Sequence, residues 1–593
     1  MLTDIIEHLV ELVHLERSTS LDADEFNALL SEKAMVNLGY AIEGLYITNH
    51  QRDTIILTCH TNESRFRPGD KLTLSTPDHK PFSAILTKVQ SGGLELHCTV
   101  KSKSTPTIAG PWLASEDQTN LSSLLITALR KLQPGVPGWG LVRKLFGENV
   151  VAPSPIFPTA PIDADSVYKQ LTLASNTTLD SSQLQVLNAC LELPDLLGVQ
   201  GPPGTGKTML LGFVAESLAR SNKRLLILAP THQAVNNALS TIKTLFPNRR
   251  VVKVGDNVRT ESLTPSVPIV SSNQELLLLP TDTIVGMTFF GALPRVMLVD
   301  KHPFSPNVVI IDEAGQLPLT QGVCSALCGA GTMFFFGDDR QMPPIYSGNI
   351  HDEELAVSVF AQLRKSRPSQ IHMLSVTHRL NHELCQHVSG AFYSDAINQL
   401  HSSNLARNRR LELNNFSGIS NPSIKRILDP SNSLIWVKVA TDKCMQSNEP
   451  EASLVARIIE TCLKSGMQSA DIAVVTPFRR QARLITNILT TTLDKATQTP
   501  IIDTVERVQG ATVDLVIFSF CASQLDYIGS LASFLFSPNR LNVAISRARR
   551  KSIFLSSPNI FNVLPLEHRG IVGRNTCREL LENSQDIMFS NVH

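Results

Sequence analysis

The glycine-rich run Gly-Pro-Pro-Gly-Thr-Gly-Lys-Thr, residues 201–208, constrains the fold more than any other part of the sequence. It fits the pattern G-x-x-x-x-G-K-[ST], in which a loop between a strand and a helix cradles phosphates with its backbone N–H groups. Both flanks fit, because an apolar run of strand length precedes the loop and helical periodicity follows over residues 209–221. The run therefore predicts an α/β fold with a nucleotide site. Lys207 is expected to reach the β- and γ-phosphates, and the Thr208 hydroxyl to bind Mg²⁺.

The composition indicates a globular chain of several domains. It has 593 residues, of which 42% are hydrophobic and 18% charged. No apolar run approaches the roughly 20 residues that cross a bilayer, and residues 1–17 are amphipathic and more acidic than basic, unlike a signal peptide. The ten cysteines form no Cys-x-x-Cys pair and are expected to be buried thiols in a reducing compartment. We therefore expect an intracellular protein, cytoplasmic or nuclear, with no membrane partner.

The first third of the chain is predicted to hold accessory elements. Residues 1–39 are expected to form a stalk of two helices, and residues 102–175 to hold further helical spacing and a linker with four prolines at Val151–Pro161. Between them, residues 40–101 show short strand-like runs separated by polar, Gly or Pro breaks, which predict a small β-barrel. These runs are Tyr40–Ile47, Thr54–Cys59, Lys71–Ser75, Ala84–Val89 and Leu94–Val100.

Two series of apolar strand-like runs, alternating with helical segments, predict two parallel-sheet domains over residues 176–369 and 370–593. The runs are Leu225–Leu228, Val308–Ile311 and Met333–Phe336, then Leu434–Val439, Ile472–Val475, Leu515–Ser519 and Ser552–Leu555. The tail from Pro565 onward is weakly patterned, with one helix predicted at Thr576–Glu582.

The buried run Val308–Ile311 ends in two carboxylates, Asp312 and Glu313. In a P-loop ATPase such a pair would hold Mg²⁺ through the first residue and orient and deprotonate the attacking water through the second. The alternative is an acidic cap between a strand and a helix. One strand further on, Gln341 lies in a polar turn where its amide could sense the γ-phosphate.

Together these motifs, in this order, resemble those of superfamily 1 helicases of group B, in the branch of the nonsense-mediated-decay helicase and the immunoglobulin mu-binding-protein helicase. The resemblance covers roughly Met1 to Ser557. Its further motifs are Leu179–Gln183 (Q motif), Ala229–Val235 (Ia), Asp312–Gln316 (II), Gly337–Pro344 (III), Thr377–Arg379, Val475–Phe478, Val505–Gly510 (V) and Leu541–Arg549 (VI).

The resemblance implies two RecA-like domains that bind MgATP between them. It also implies that the protein moves along single-stranded DNA or RNA in the 5′→3′ direction. The implied catalytic residues are Lys207, Asp312, Glu313, Gln341, Arg379 and Arg547, of which the two arginines would act as arginine fingers. The implied nucleotide-binding residues are Gln183, Gly201, Pro202, Pro203, Gly204, Thr205, Gly206, Lys207, Thr208 and Gly510, with Thr208 and Asp312 at the metal. The implied strand contacts are Thr231, Thr288, Pro477 and Thr504. A monomer is expected.

The chain also departs from the family pattern. His378 stands where the family has tyrosine, and Thr512 where motif V carries glutamate. The interval between motifs Ia and II is short, so an inserted subdomain there is expected to be small or absent. No zinc-binding Cys/His domain precedes the core.

Several interpretations stay open at the level of sequence. Arg479, Arg480 and Arg483 fit either a strand-facing patch or a solvated helix face, whereas the basic run at residues 549–551 is expected to be surface charge. The chain could instead be a P-loop ATPase that remodels proteins, or a non-catalytic nucleic-acid clamp. The intact set of six catalytic residues argues against a clamp.

Overall fold

Three large sheets, one closed and two open, organise the chain. The computed structural model describes all residues except 1, 30–35, 37–40, 52, 63, 65, 67, 78, 91–93, 101–109, 117–120, 150–163, 256, 299–303, 347–353, 395–398, 494–497 and 590–593. The predicted proline-rich linker, Val151–Pro161, lies outside the described residues. Among the described helices, none is long and apolar enough to cross a bilayer.

The N-terminal segment, predicted to hold two helices, begins with the long helix α1 (Leu2–Leu29). Apart from residue 36, the rest of that segment lies outside the described residues. The apolar stripe of α1, including Ile6, Leu9 and Val13, is buried in the same core as helix α2 (Ser122–Lys131) and the first open sheet. Helix α3 (Trp139–Leu145) joins this core as well. The predicted stalk is therefore packed onto the first α/β unit.

The closed sheet is a six-stranded antiparallel barrel in the order β1-β2-β5-β4-β3-β6. Alternate residues such as Ile55 and Leu57 point into its own small core. The strands are β1 (Ala41–Gln51), β2 (Thr54–Thr58), β3 (Lys71–Thr76), β4 (His79–Gln90), β5 (Glu95–Val100) and β6 (Trp112–Glu116). Strand β6 lies beyond the predicted end of the barrel at residue 101 and pairs with both β1 and β3, so it closes the barrel. It escaped prediction because five residues allow too little alternation to stand out.

The first open sheet is entirely parallel, in the order β10-β9-β11-β8-β12-β13-β7-β14. Strand β14 pairs with β7, so the sheet continues past the predicted domain boundary at residue 369. The strands are β7 (Leu196–Gln200), β8 (Leu225–Ala229), β9 (Val251–Val254), β10 (Ile269–Val270), β11 (Ile284–Thr288), β12 (Val308–Ile311), β13 (Thr332–Gly337) and β14 (Ile371–Met373). The helices are α4 (Ala164–Ser175), α5 (Ser181–Leu191), α6 (Lys207–Arg220), α7 (His232–Leu245), α8 (Asn273–Leu277), α9 (Phe289–Ala292), α10 (Leu319–Cys324) and α11 (Val359–Ser366).

Between motifs Ia and II, the described residues build strands β9, β10 and β11 of the same sheet, together with α8 and α9. They form no separate subdomain in the described part of this interval.

A short parallel pair, β15 (Val376–Thr377) and β16 (His401–Ser402), leads into the second open sheet. That sheet is also parallel, in the order β19-β18-β20-β21-β17-β22. Its strands are β17 (Leu434–Val439), β18 (Ile472–Thr476), β19 (Ile501–Thr504), β20 (Val513–Ser519), β21 (Ala548–Ser556) and β22 (Gln585–Phe589). The helices are α12 (His382–Phe392), α13 (Pro422–Ile427), α14 (Glu449–Lys464), α15 (Arg479–Thr492), α16 (Val505–Val508), α17 (Leu525–Ser530), α18 (Ala532–Leu535), α19 (Pro538–Ile545) and α20 (His568–Glu582).

The tail is more ordered than its sequence pattern indicated. Helix α20 begins eight residues before the predicted Thr576, and β22 adds an edge strand beside β17. Only Ile587 and Phe589 of β22 are buried, because an edge strand covers the core with one face. Such a short alternation between exposed residues carries little signal.

Each open sheet is covered on both faces, which explains its continuous apolar runs. In β8, Leu225 and Ile227 point into one core and Leu226 and Leu228 into another. In β18, Ile472 and Val474 likewise face away from Ala473 and Val475. With both faces sealed by helices, the loops at the carboxyl ends of the strands are free to form sites.

Candidate nucleotide and nucleic-acid site

The P-loop joins β7 to α6, as the sequence predicted, and its first N–H is tied to the sheet. The N–H of Gly201 donates to the carbonyl of Gly337 at 2.9 Å. Gly204 and Gly206 have positive φ of 74° and 75°, which glycine adopts without strain. A Cβ on Gly204 would also lie 2.3 Å from Cβ of Arg379. The loop therefore holds backbone N–H groups at the N-terminus of α6, where anions are stabilised.

Lys207 is bound to both predicted catalytic carboxylates. Its Nζ donates to Oε1 of Glu313 at 3.0 Å and to Oδ1 of Asp312. Burial alone would lower the pKa of Lys207, but the two carboxylates raise it above its ordinary value, so the side chain stays charged. Glu313 itself has a left-handed φ of 53° and accepts from Nε2 of Gln316 at 3.0 Å. The geometry assembles one cation and two anions at the phosphate end of the loop.

The residues present fit a magnesium ion. The Asp312 carboxylate and the Thr208 hydroxyl offer the hard oxygen ligands that Mg²⁺ prefers. No group of three His, Cys, Asp or Glu side chains in metal-binding proximity occurs among the described residues. That donor set suits an ion that takes its remaining ligands from phosphate oxygens and water.

Gln183 lies behind the P-loop, and both its amide oxygen and its amide nitrogen form hydrogen bonds. It forms a capping box at the start of α5, in which Asp180 accepts from its N–H and its Oε1 accepts from the Asp180 N–H at 3.0 Å. Its Nε2 donates to the carbonyl of Thr205 at 2.8 Å. The side chain is 0% exposed. In this arrangement Gln183 braces the loop, and its predicted reading of adenine stays a prediction.

The segment from Thr377 to Arg379 clamps the other side of the P-loop. Oγ1 of Thr377 donates to the carbonyl of Pro203 at 2.7 Å, and the N–H of His378 to that of Gly204 at 2.8 Å. The His378 ring, partly exposed, lies 3.1 Å from Oδ2 of Asp180. The histidine that replaces the family's tyrosine is therefore fixed at the rim of the nucleotide cleft.

Arg379 and Arg547 reach the same cleft from the second unit. Nη1 of Arg379 donates to the carbonyl of Ser546 at 3.1 Å, while its buried Nε has no partner among the described residues. Nη2 of Arg547 lies 3.4 Å from Oε1 of Gln341. Burial lowers the pKa of Arg547 to about 10, and burial together with Arg547 and Arg549 lowers that of Arg379. Clustered, desolvated guanidinium groups of this kind favour an incoming anion.

A cleft of about 1200 Å³ lies between the P-loop and the arginines of the second unit. Its lining runs from the P-loop through Glu313, Gln341, Arg379 and Arg547 to the loop after β19. That loop contributes Gly510, whose φ is 90°, and Thr512, the residue that replaces the family's glutamate. The six residues predicted to be catalytic are thus brought to one cleft between the two sheets, except that Asp312 lies just beneath its surface, bonded to Lys207.

The predicted strand contacts all lie at the carboxyl ends of strands. Thr231 follows β8, and Thr288 is the last residue of β11. Each caps the helix that comes next, because its hydroxyl accepts from a backbone N–H at 3.2 Å. Pro477 follows β18, and Thr504 ends the neighbouring β19. The two hydroxyls are therefore engaged as helix caps. Of the arginines on α15, Arg480 is exposed, and the choice between strand patch and helix face stays open.

In the basic run at residues 549–551, predicted to be surface charge, Lys551 is buried and the two arginines are partly exposed and ion-paired. Lys551 is 0% exposed and donates to the carbonyls of Asp429, at 2.7 Å, and Asn432. Arg549 pairs with Asp514 at 2.6 Å, and Arg550 with the same carboxylate at 3.0 Å. The partners come from distant parts of the chain, so local sequence gave no signal of them.

Sequence reasoning also missed residues that hold the two units together. Tyr393 donates to Oδ2 of Asp338 at 2.6 Å, and Nδ2 of Asn542 donates to Oη of Tyr393 at 2.9 Å. Nδ2 of Asn539 donates to the carbonyl of Asp339 at 2.9 Å. Asn539 and Tyr393 lie outside every motif, whereas Asn542 lies inside motif VI and could have been examined.

Comparisons with known proteins agree with this geometry. Two AAA-domain profiles match the chain, one over residues 178–405 and the other over residues 355–559. Together the two profiles cover residues 178–559. The narrower helicase branch expected from the motifs is not confirmed by the relatives named next.

Similar curated proteins include replication helicase/nucleases. The chain is 28% identical over 405 residues to the DNA replication ATP-dependent helicase/nuclease JHS1 of Arabidopsis thaliana, covering 66% of this chain and 29% of that protein. It is 27% identical over 412 residues to the DNA replication ATP-dependent helicase/nuclease DNA2 of Xenopus laevis, covering 64% and 37%. The chain thus spans about a third of the length of these relatives.

Among solved structures, an arterivirus nonstructural protein 10 helicase in complex with DNA aligns over 88% of this chain and 81% of its own, with a TM-score of 0.37 and 12% identity. The PRRSV helicase aligns over 87% and 70%, with a TM-score of 0.32 and 15% identity.

Proposed function

We propose that this chain is an ATP-dependent nucleic-acid helicase or translocase. One observation carries the proposal: Lys207, Glu313 and Gln341 of the first α/β unit face Arg379 and Arg547 of the second across a single cleft. A protein that only binds nucleotide needs one such unit. A site completed by two units couples hydrolysis to their relative movement, which is what stepping along a strand requires.

The chemistry follows from the side chains in the cleft. The P-loop N–H groups and Lys207 bind the β- and γ-phosphates of ATP. Thr208 and Asp312 would hold Mg²⁺, which would supply charge to offset the developing negative charge. Glu313 accepts the proton of a water whose oxygen attacks the γ-phosphorus, while the bond to the β–γ bridging oxygen breaks. Gln341 orients that water.

Arg379 and Arg547 complete the site when the cleft closes. A guanidinium group meets phosphate oxygens with a planar pair of donors, and a finger of this kind is worth about 10³–10⁵ in rate. Burial lowers the pKa values of both arginines. Charge building up on the transferring phosphoryl group would offset that burial, so the groups are placed to favour the transition state.

Single-stranded nucleic acid is the proposed partner. It would lie across the carboxyl ends of both sheets, near Thr231, Thr288, Pro477 and Thr504, and be held mainly through its phosphates. Because the similar curated proteins are named as DNA replication helicase/nucleases, we favour DNA over RNA and an intracellular, nuclear setting. The group-B motif set supports 5′→3′ movement and a monomeric motor.

The test is ATP turnover by the full chain with Mg²⁺, measured alone and with DNA and RNA strands of matched sequence. Stimulation by a strand is expected, more strongly by DNA, together with unwinding of a duplex that carries a 5′ tail. Hydrolysis indifferent to either strand would favour a protein-remodelling ATPase, and tight strand binding without hydrolysis a clamp. Unwinding from a 3′ tail alone would overturn the polarity.

A further inference from the structure

A buried carboxylate, Asp338, lies at the seam between the two α/β units. It follows β13 of the first unit and is 4% exposed. Its Oδ2 accepts from Nε2 of Gln341 and from Oη of Tyr393, both at 2.6 Å. Its Oδ1 accepts from Nε2 of Gln200 and from the N–H of Arg340, both at 3.2 Å. Four donors converge on one carboxylate, and one of them comes from the second unit.

Protonation states fix the direction of these bonds. Burial, with the neighbouring charge of Asp339, raises the pKa of Asp338 to about 6, so at neutral pH it is an ionised acceptor. Burial and the Asp338 charge raise the pKa of Tyr393 well above its ordinary value, so the phenol stays protonated and donates. A charge-assisted bond between them is stronger than a neutral one.

The second unit holds the whole loop that carries Gln341. Nδ2 of Asn539, on α19, donates to the carbonyls of Asp339 and Gln341, and Nδ2 of Asn542, on the same helix, to that of Arg340 at 2.8 Å. Arg547 follows that helix directly and contacts the Gln341 side chain. Asn542 also donates to Oη of Tyr393 at 2.9 Å, so the phenol belongs to the same network.

We propose that Tyr393 is a positioning residue for ATP hydrolysis, which aims the Gln341 amide by holding Asp338 from the opposite unit. The inference rests on the proposed function and deepens it. When Tyr393 bonds Asp338, the carboxylate presents Oδ2 to Gln341, and the Gln341 Oε1 is left directed at Arg547. When the two units close, the bond from Tyr393 therefore changes the position of the side chain that orients the attacking water.

The test removes only the phenolic oxygen. Tyr393→Phe in the full chain is expected to lower strand-stimulated kcat for ATP about tenfold, the loss of one charge-assisted bond. The KM for ATP is expected to change less than about twofold. Tyr346→Phe is the matched control, because Tyr346 is also buried and donates from its hydroxyl, at 3.0 Å to the carbonyl of Val357. It should leave kcat unchanged.

A double-mutant cycle decides whether the effect passes through Gln341. If Tyr393 acts by positioning that amide, Tyr393→Phe should have no further effect on kcat in a Gln341→Ala background. Fully additive losses, or a loss of kcat that matches a loss of folded protein in a thermal melt, would overturn the inference. So would an equally active Tyr393→Phe variant. A wild-type protein without strand-stimulated hydrolysis would instead refute the proposed function.

Discussion

Nη2 of Arg547 lies 3.4 Å from Oε1 of Gln341, so the two α/β units meet at side chains that both face the P-loop. The guanidinium group also donates from Nε to the carbonyl of Val543 at 3.0 Å, which anchors it to the end of α19. It is 3% exposed. An arginine held in this way by its own helix moves with the second unit as a rigid body.

Replacing Arg547 by alanine is therefore expected to reduce turnover far more than nucleotide binding. A finger acts on transition-state charge, so kcat should fall by about 10³-fold or more while ATP affinity changes little. Steady-state kinetics and fluorescent-nucleotide titration measure the two quantities. Arg578→Ala, in a helical ion pair with Glu582 on the same unit, is the control and should match wild type. A collapse of affinity with unchanged kcat would make Arg547 a binding residue.

Lys207→Ala is expected to abolish hydrolysis in a protein that still folds. The substitution removes the cation that both Asp312 and Glu313 bind, and with it the charge that meets the phosphates. Phosphate release measures turnover, and a cooperative thermal melt checks the fold. Lys365→Ala is the control, because Lys365 is an exposed lysine of the first unit paired with Glu354. Near-normal turnover by the folded variant would refute the P-loop assignment.

The fall of ATP turnover at low pH is expected to follow the protonation of Asp338. Its folded-state pKa of about 6 lies above the ordinary 3.8, so the carboxylate becomes protonated as the pH falls through 6 and loses an acceptor for its donors. The charged or titratable groups around it are Asp339, Tyr393 and Arg547. Turnover should therefore decline below about pH 6. In Tyr393→Phe the fall should move to higher pH, because a bond that lowers the pKa is gone; a fall that does not move would be assigned to another group.

The sequence predicted most of what recurs with a fixed period or a fixed spacing. The P-loop, the carboxylates after β12 and the strands buried on both faces were all found, because each is a local pattern. Strands β6 and β22 were not found, since each has five residues and buries only alternate side chains.

Contacts between distant segments lay beyond such reasoning. Tyr393 and Asp338 are 55 residues apart, and Lys551 reaches carbonyls more than 100 residues away. Nothing in the local sequence of Lys551 distinguishes a buried lysine from a surface one. Only the fold brings such distant groups together. Local motifs therefore predicted the candidate catalytic residues but not the hydrogen bonds that align them.

Among the described residues, the barrel contacts the first α/β unit where Gly69 and Asp70 meet Arg259, at the rim of the nucleotide cleft. Nη2 of Arg259 donates to the carbonyl of Gly69 at 2.5 Å, and a Cβ on Gly69 would lie 2.2 Å from Nε of Arg259. Gly69→Ala should displace the arginine and weaken the docking of the barrel. We expect basal hydrolysis to persist, while strand affinity and unwinding fall about tenfold, the value of one charge-assisted bond.

Gly44→Ala is the matched control for that experiment. Gly44 also has positive φ, 65° against 95° for Gly69, and lies in the same barrel, but a Cβ there meets no atom within 4 Å. It tests a positive-φ glycine of the barrel without displacing Arg259. Equal effects of the two substitutions on strand affinity would show that barrel strain, and not docking, is responsible.

The buried Lys551 is expected to make stability rise with pH. Burial, the largest effect, lowers its pKa from 10.5 to about 7, and Glu383 and Asp429 oppose that shift. Below pH 7 the ammonium is charged in both the folded and the unfolded chain, so the burial cost is fully present. Between pH 7 and 10.5 the unfolded chain binds more protons, so the free energy of unfolding increases with pH. Lys551→Met should remove this increase, and denaturant titrations of both proteins from pH 6 to 9 measure it as a difference. A difference that stays constant across that range would mean that Lys551 remains charged, held by the carbonyls of Asp429 and Asn432.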